Sequence, residues 1–469
     1  MKYKIVCLLA LGGLAGCTMG PDYRKVAPAI PSYWQATPAA NLQQVSPKEL
    51  KIWWKNFGDA QLDRLMDKAL AGNLDVKIAL ARIDQARAER RATRAELYPT
   101  VNATTGAQRN ENPFPGLAPG IKYNMFELGF DALWEIDLFG RQQRRLEAAS
   151  ADLDAAGEQY RQSLVILTSE LARSYVEYRS LQDQLRITRS NLESQQHTLE
   201  LTERLNAEGV GTRHDVIRAR AQTETTEAQI PALEGRLVAT LRQLEVLAGG
   251  QPGTLDAEMN ATAAVPAAPG IKILTSPAET IRRRPDIRAA ERNLAAATAM
   301  QGAAVAELYP KISLSAFVGL RNTDIESLFK SAAFSYGTAA NLLQPVLNFG
   351  RIRAGIDLAD AQQKEAYLAF EKTVLEALQE TETALTRYLK EESRRQTLAR
   401  AVADLRESMR LSQLRYHEGV ISFLDVLESQ RALYLDEINL ARSEAETSTS
   451  LIAVYKALGG GANAIPPQP

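Results

Sequence analysis

Two cysteines and three histidines in 469 residues leave little from which to build a zinc, haem or thiol site. The histidines, His197, His214 and His417, fit no ligand spacing. Lys plus Arg total 55 against 56 Asp plus Glu. The basic excess that neutralises phosphates is therefore missing, and nucleic acid is not an expected partner. Aromatics reach only 6%, low for a sandwich or a large apolar core. No nucleophile–base pair, phosphate loop or metal cluster is recognisable, so neither an enzyme nor a cofactor is expected. The first apolar run, Ile5 to Ala15, is too short to cross a bilayer as a helix. What remains is an ordinary folded composition, 24% charged and 45% hydrophobic.

The amino terminus points to export. Lys2 and Lys4 precede the apolar run, which closes on Leu14-Ala15-Gly16-Cys17. This resembles a lipobox, so residues 1–16 read as a signal peptide and Cys17 as an acylated first residue carrying palmitate. Thr18 stands where Asp would resemble an inner-membrane retention signal, which favours the outer membrane. Losing Lys2 and Lys4 takes the formal charge from −1 to −3. Cys7 leaves with the leader, no disulfide is available, and stability must come from packing or assembly. Residues 17–60, rich in Pro and holding Trp34, Trp53 and Trp54, read as an extended arm lying on the protein.

The rest of the chain is duplicated. Ala95-Glu96-Leu97-Tyr98-Pro99 returns as Ala306-Glu307-Leu308-Tyr309-Pro310, and Phe139-Gly140-Arg141 as Phe349-Gly350-Arg351. Glu208-Gly209-Val210 returns as Glu418-Gly419-Val420, and Leu247-Ala248-Gly249 is matched by Ala457-Leu458-Gly459. Four ordered anchors with one spacing of about 210 residues imply two structural repeats. They are placed at 61–250 and 285–459, with a linker at 251–284 and a tail at 460–469. Each repeat reads as a helix of some 25 to 38 residues ending at the Leu-Tyr-Pro corner, two strands and a very long helix. After a Gly turn, a last helix of some 35 residues closes the repeat. The long helices are expected at 141–206 and 351–416, each ~100 Å at 1.5 Å per residue.

The strands decide against a soluble coiled-coil scaffold. Phe126, Leu128, Phe130, Ala132, Trp134 and Ile136 alternate with Glu127, Gly129, Asp131, Leu133, Glu135 and Asp137. Ile312, Leu314, Ala316, Val318 and Leu320 form a second apolar stripe, and 99–109 and 335–346 are weaker strands. Apolar groups on one side and carboxylates on the other suit lipid outside and water inside, with Glu127, Asp131, Glu135 and Asp137 facing a lumen. Four strands cannot close a barrel, and an open edge cannot sit in lipid. Two copies would supply eight strands and three would supply twelve; the pattern alone leaves both open.

These motifs, with the ending Tyr455-Lys456-Ala457-Leu458-Gly459-Gly460-Gly461, resemble the outer-membrane factor family, the TolC-like channels, and most nearly their OprM-like lipoprotein branch. The resemblance implies a mainly α chain with a membrane β-barrel: a homotrimer whose twelve-stranded outer-membrane barrel continues into a twelve-helix periplasmic barrel. It implies the exit duct of a tripartite efflux pump, joined through a periplasmic adaptor to an inner-membrane transporter. A type I secretion duct for proteins and a lipid-anchored periplasmic adaptor are the alternatives; the duplication and the 126–136 strand speak against the second.

By the same resemblance, Leu424, Glu428 and Arg431 match the periplasmic gate of that branch, and their spacings of four and three put them on one helical face. The family usually has Asp where this chain has Glu428. The turns Gly209-Val210-Gly211-Thr212 and Gly419-Val420-Ile421-Ser422 match the helix tips where the adaptor docks. Arg282-Arg283-Arg284, before Pro285, reads as a solvated helix start.

Overall fold

A computed structural model describes residues 18–36, 50–111, 122–270 and 276–465. Cys17 lies outside the described residues. Two compact units emerge: 1–27, 82–156 and 289–371 form one, and 28–81, 157–288 and 372–469 the other. In chain order the elements are α1 (Ala60–Gly72), α2 (Leu74–Ala95), β1 (Thr100–Glu111), β2 (Lys122–Ile136), α3 (Arg141–Ala207), α4 (Arg213–Glu227) and α5 (Ile230–Leu247). There follow α6 (Asp256–Met259), α7 (Pro277–Arg283), α8 (Pro285–Ala306), β3 (Lys311–Asn322), β4 (Phe334–Leu343), α9 (Arg351–His417) and α10 (Phe423–Ala457). The chain is mainly helical, and the long helices α3 and α9 are 67 residues each.

Three expected elements differ. The helix before the first Leu-Tyr-Pro corner is two helices, because Asn73 adopts an extended ψ of 132°. Its Oδ1 accepts the Val76 N–H at 3.1 Å, so it caps the new helix. The last helix of the first half is also broken, between Glu227 and Ile230, while its counterpart α10 runs 35 residues unbroken. Pro231 is the cause: it lacks an N–H and its ring clashes with the carbonyl four residues back, so it fits only a first turn. The 17–60 arm is not extended throughout, since Trp53–Phe57 forms a 3-10 helix.

The first unit contains one antiparallel sheet in the order β1-β2-β3-β4. Register puts Leu128 opposite Leu320, Phe130 opposite Val318 and Trp134 opposite Leu314, and β4 adds Phe334, Tyr336 and Leu342 to the same face. Paired residues share a face, so the large apolar side chains of β2, β3 and β4 gather on this side. In the same unit, Ala148 and Ala151 of α3 meet Ala295, Ala296 and Ala299 of α8. Such small side chains allow close helix approach.

In the second unit, Trp53 and Trp54 are buried. Trp53 stacks on Tyr455 with centroids 5.0 Å apart, and Tyr175 donates to Asp59 at 2.8 Å. α3 and α10 pack through Ile187, Tyr434, Ile438 and Ala441. One face of that pair is covered: Tyr178 donates to the Met259 carbonyl at 3.1 Å and Ser448 to that of Pro266 at 2.7 Å. The opposite face, carrying Arg173, Ser180, Arg442 and Ser450, lines a cavity of about 740 Å³.

Arg284 is not part of a solvated helix start. It is 7% exposed and donates to the Ala457 carbonyl at 2.9 Å. Asp286 and Glu380 each take it at 2.7 Å. Burial opposes its charge, and those two carboxylates more than restore it.

Candidate functional site

The residues expected from the sequence fall into three groups: the polar face of the sheet, the helix tips and the exposed stripe of α10.

On the sheet, the carboxylates of β2 meet partners that strand alternation alone does not reveal. Glu127 stands opposite Arg321 in register, and their side chains pair at 2.7 Å. Arg321 also lies 4.0 Å from the centroid of the Phe317 ring. That ring roofs the facing pair Gly129 and Gly319; a Cβ at Gly129 would lie 2.8 Å from it. Asp131 accepts from Asn102 at 3.4 Å, while its Oδ1 is buried without a partner among the described residues. Glu135 pairs with Arg141 at 2.7 Å. Asp137 departs from expectation. It lies one residue beyond β2, and its carboxylate accepts the Gln143 N–H at 2.7 Å, at the start of α3. The cause is the Phe-Gly-Arg corner, which turns the chain before Asp137 can continue the pleat.

Both tips reverse through the same hydrogen-bond pattern. Val210 N–H reaches the Leu205 carbonyl and Gly209 N–H that of Asn206, at 2.9 and 3.1 Å; Val420 and Gly419 repeat this on Arg415 and Tyr416, both at 2.9 Å. These are Schellman closures, and they require the left-handed φ of 76° at Gly209 and 70° at Gly419. The pattern leaves Val210 and Val420 exposed, at 78% and 60%. Thr212 Oγ1 accepts the Asp215 N–H at 3.2 Å. Ser422 gives its N–H and hydroxyl to the Asp425 carboxylate, at 3.0 and 2.7 Å, which hold that carboxyl below its ordinary value. Gly211 and Ile421 differ for a local reason, since a Cβ at Gly211 would lie 3.1 Å from the Asn206 nitrogen.

Leu424, Glu428 and Arg431 are all exposed on α10. They lie away from Phe423, Val426, Gln430 and Tyr434, which are buried. Gln430 donates to Ser194 at 2.9 Å and Tyr434 to Gln229 at 2.8 Å. Neither Glu428 nor Arg431 has an ion pair or side-chain hydrogen bond among the described residues. Among those residues no group of His, Cys, Asp and Glu is placed to hold a metal, and no helix is long and apolar enough to cross a membrane.

Comparison with known proteins completes the description. The model of the outer membrane efflux protein family matches residues 65–250 and again 277–460. The solvent efflux pump outer membrane protein SrpC of Pseudomonas putida is 32% identical, over 98% of this chain and 99% of its own. Outer membrane protein OprJ of Pseudomonas aeruginosa is 31% identical, over 98% and 96%. The solved outer-membrane channel OprN superposes with a TM-score of 0.90 at 34% identity, covering 95% of this chain and 100% of that one.

Proposed function

The chain belongs to the outer membrane efflux protein family, and from that membership we propose a passive, gated exit duct built from three copies. The duct spans the outer membrane as a twelve-stranded barrel and continues through the periplasm as a twelve-helix barrel. An inner-membrane transporter feeds it through a periplasmic adaptor. Its cargo is small toxic solutes, a reading supported by SrpC, whose name assigns it to solvent efflux.

One observation carries this reading. Among the described residues β1 pairs only with β2, and β4 only with β3, so both outer strands present unpaired backbone groups beside an apolar face holding Phe130, Val318 and Tyr336. In lipid those groups need partners, and further copies of the same sheet supply them. In that assembly Glu127, Asp131 and Glu135 face the lumen, Glu127 and Glu135 with basic partners and Asp131 beside Asn102, while Asp137 belongs to the corner.

The periplasmic end closes where Leu424, Glu428 and Arg431 from three copies converge. The leucines form an apolar constriction, and the glutamates repel one another unless the arginines stand between them. Val210 and Val420, with the Gly turns that hold them out, form the surface that an adaptor grips. Cys17 carries the lipid that holds the arm at the membrane.

The test is mass in mild detergent after extraction from outer membranes, with planar-bilayer recording on the same sample. The expected result is a mass of three chains and a small conductance that grows in Glu428→Ala and Arg431→Ala. A water-soluble monomer without conductance would overturn the reading.

A further inference from the structure

The two corner motifs of the duplication meet in space, but only once among the described residues. Phe139 of the first Phe-Gly-Arg corner stacks on Tyr309 of the second Leu-Tyr-Pro corner, with centroids 4.9 Å apart and planes 21° from parallel. Two residues further on, Arg141 pairs with Glu307 at 3.3 Å. The first Phe-Gly-Arg corner therefore clasps the second Leu-Tyr-Pro corner by one ring stack and one ion pair. The complementary halves of that clasp are unused. Phe349 is 93% exposed and Tyr98 is 59% exposed. Arg351 is exposed, and its guanidinium has no partner among the described residues. Glu96 is half-exposed, with Arg145 at 3.9 Å. Phe349 also has a φ of 49°, the one positive value at a non-glycine among the described residues.

We propose that Phe349 and Arg351 of one copy clasp Tyr98 and Glu96 of the next, repeating between chains the contact that Phe139 and Arg141 make within one. The duplication supplies the argument. Positions 139 and 349 hold the same motif, as do 98 and 309, so a second copy presents a surface that the chain already recognises internally. Strand register gives an independent check. Leu133 pairs with Ser315 where β2 meets β3; carried through the duplication, their counterparts are Leu343 of β4 and Thr104 of β1. Leu343 pairs with Lys311 and Thr104 with Gly129, so both stand on the polar face, as a closed sheet requires. A mismatch by one residue would have set them on opposite faces. The inference rests on the trimer reading and names the residues that latch it.

The experiment uses full-length chains in mild detergent. Arg351→Glu sets a carboxylate against Glu96 and is expected to raise the trimer dissociation constant roughly tenfold or more, since three clasps act together. Adding Glu96→Arg restores the pair and should recover most of the loss. In parallel, Phe349→Cys with Tyr98→Cys, treated with a short bismaleimide, should give two- and three-chain bands on a denaturing gel. A wild-type trimer with no effect of Arg351→Glu and no such bands would overturn the clasp and leave the trimer standing. A wild-type monomer would instead overturn the trimer reading itself.

Discussion

The two halves of the chain close their helical layer at matching joints, and they use different chemistry to do it. In the first half, Asn73 precedes α2 and its amide donates to the Leu247 carbonyl at 3.0 Å. In the second, Arg284 precedes α8 and donates to the Ala457 carbonyl at 2.9 Å. The accepting carbonyls are equivalent positions of the duplication. A neutral amide holds one joint; a buried guanidinium with two carboxylates holds the other. Two residues away the contrast reverses. Glu245 is wholly buried and accepts from Gly253 and Leu255 N–H groups at 2.8 and 3.0 Å and from Arg242 at 2.7 Å, where the second half has Tyr455 stacked on Trp53. A duplicated fold thus preserves the backbone atom to be satisfied and leaves free the side chain that satisfies it.

The comparison is broken most severely by giving the second half the interruption found in the first. Ala441, at the position corresponding to Pro231, is buried in unbroken α10. Ala441→Pro should cost at least ~3 kcal/mol and be visible as lost trimer and a lower unfolding midpoint. Arg284→Ala should cost about 2–3 kcal/mol by denaturant titration, below the figure for a fully buried pair because Asp286 and Glu380 retain water. Asn73→Ala removes a cap and one hydrogen bond, so about 1–2 kcal/mol is expected from the same measurement.

Glu245 sharpens the contrast through pH. Burial works against its charge, but the Leu255 N–H, Arg242 and the Gly253 N–H outweigh burial and hold the carboxyl below the ordinary glutamate value. Its contribution is therefore present at neutral pH and lost as pH falls through that lowered value. Glu245→Gln should lower stability at pH 7 and flatten the acid limb of the stability curve. The smallest effect is expected from Pro231→Ala. It restores an N–H and should slow amide exchange at Ala228 and Gln229, with a change in stability below about 1 kcal/mol.

Length and alternation make the long helices and the central strands legible, because 67 residues of helical spacing and the alternation of β2 from Phe126 to Ile136 overwhelm local noise. The Pro231 break follows from a rule as simple as those, yet the expected 35-residue helix ran through it, since the duplication suggested a counterpart of α10. Three consecutive arginines look solvated in a sequence, whereas the burial of Arg284 depends on Glu380, which is 96 positions away. The pairing of Glu127 with Arg321 is likewise a matter of register, which no single strand records. Asp137 was placed by extending an alternation one residue too far.

The unpaired rims of the sheet have a consequence for how the protein comes into being. A helix satisfies its own backbone as it forms, so α3 and α9 are complete in a solitary chain. Twelve residues of β1 and ten of β4 each leave one edge unsatisfied. In the proposed trimer completing them is a meeting of molecules, so its yield rises with the number of chains present. At low supply, chains with finished helices and unfinished rims accumulate, and such rims invite pairing with any other strand. Under that assembly expression level becomes a determinant of folding for this chain, with half-made sheets as the species that quality control must recognise.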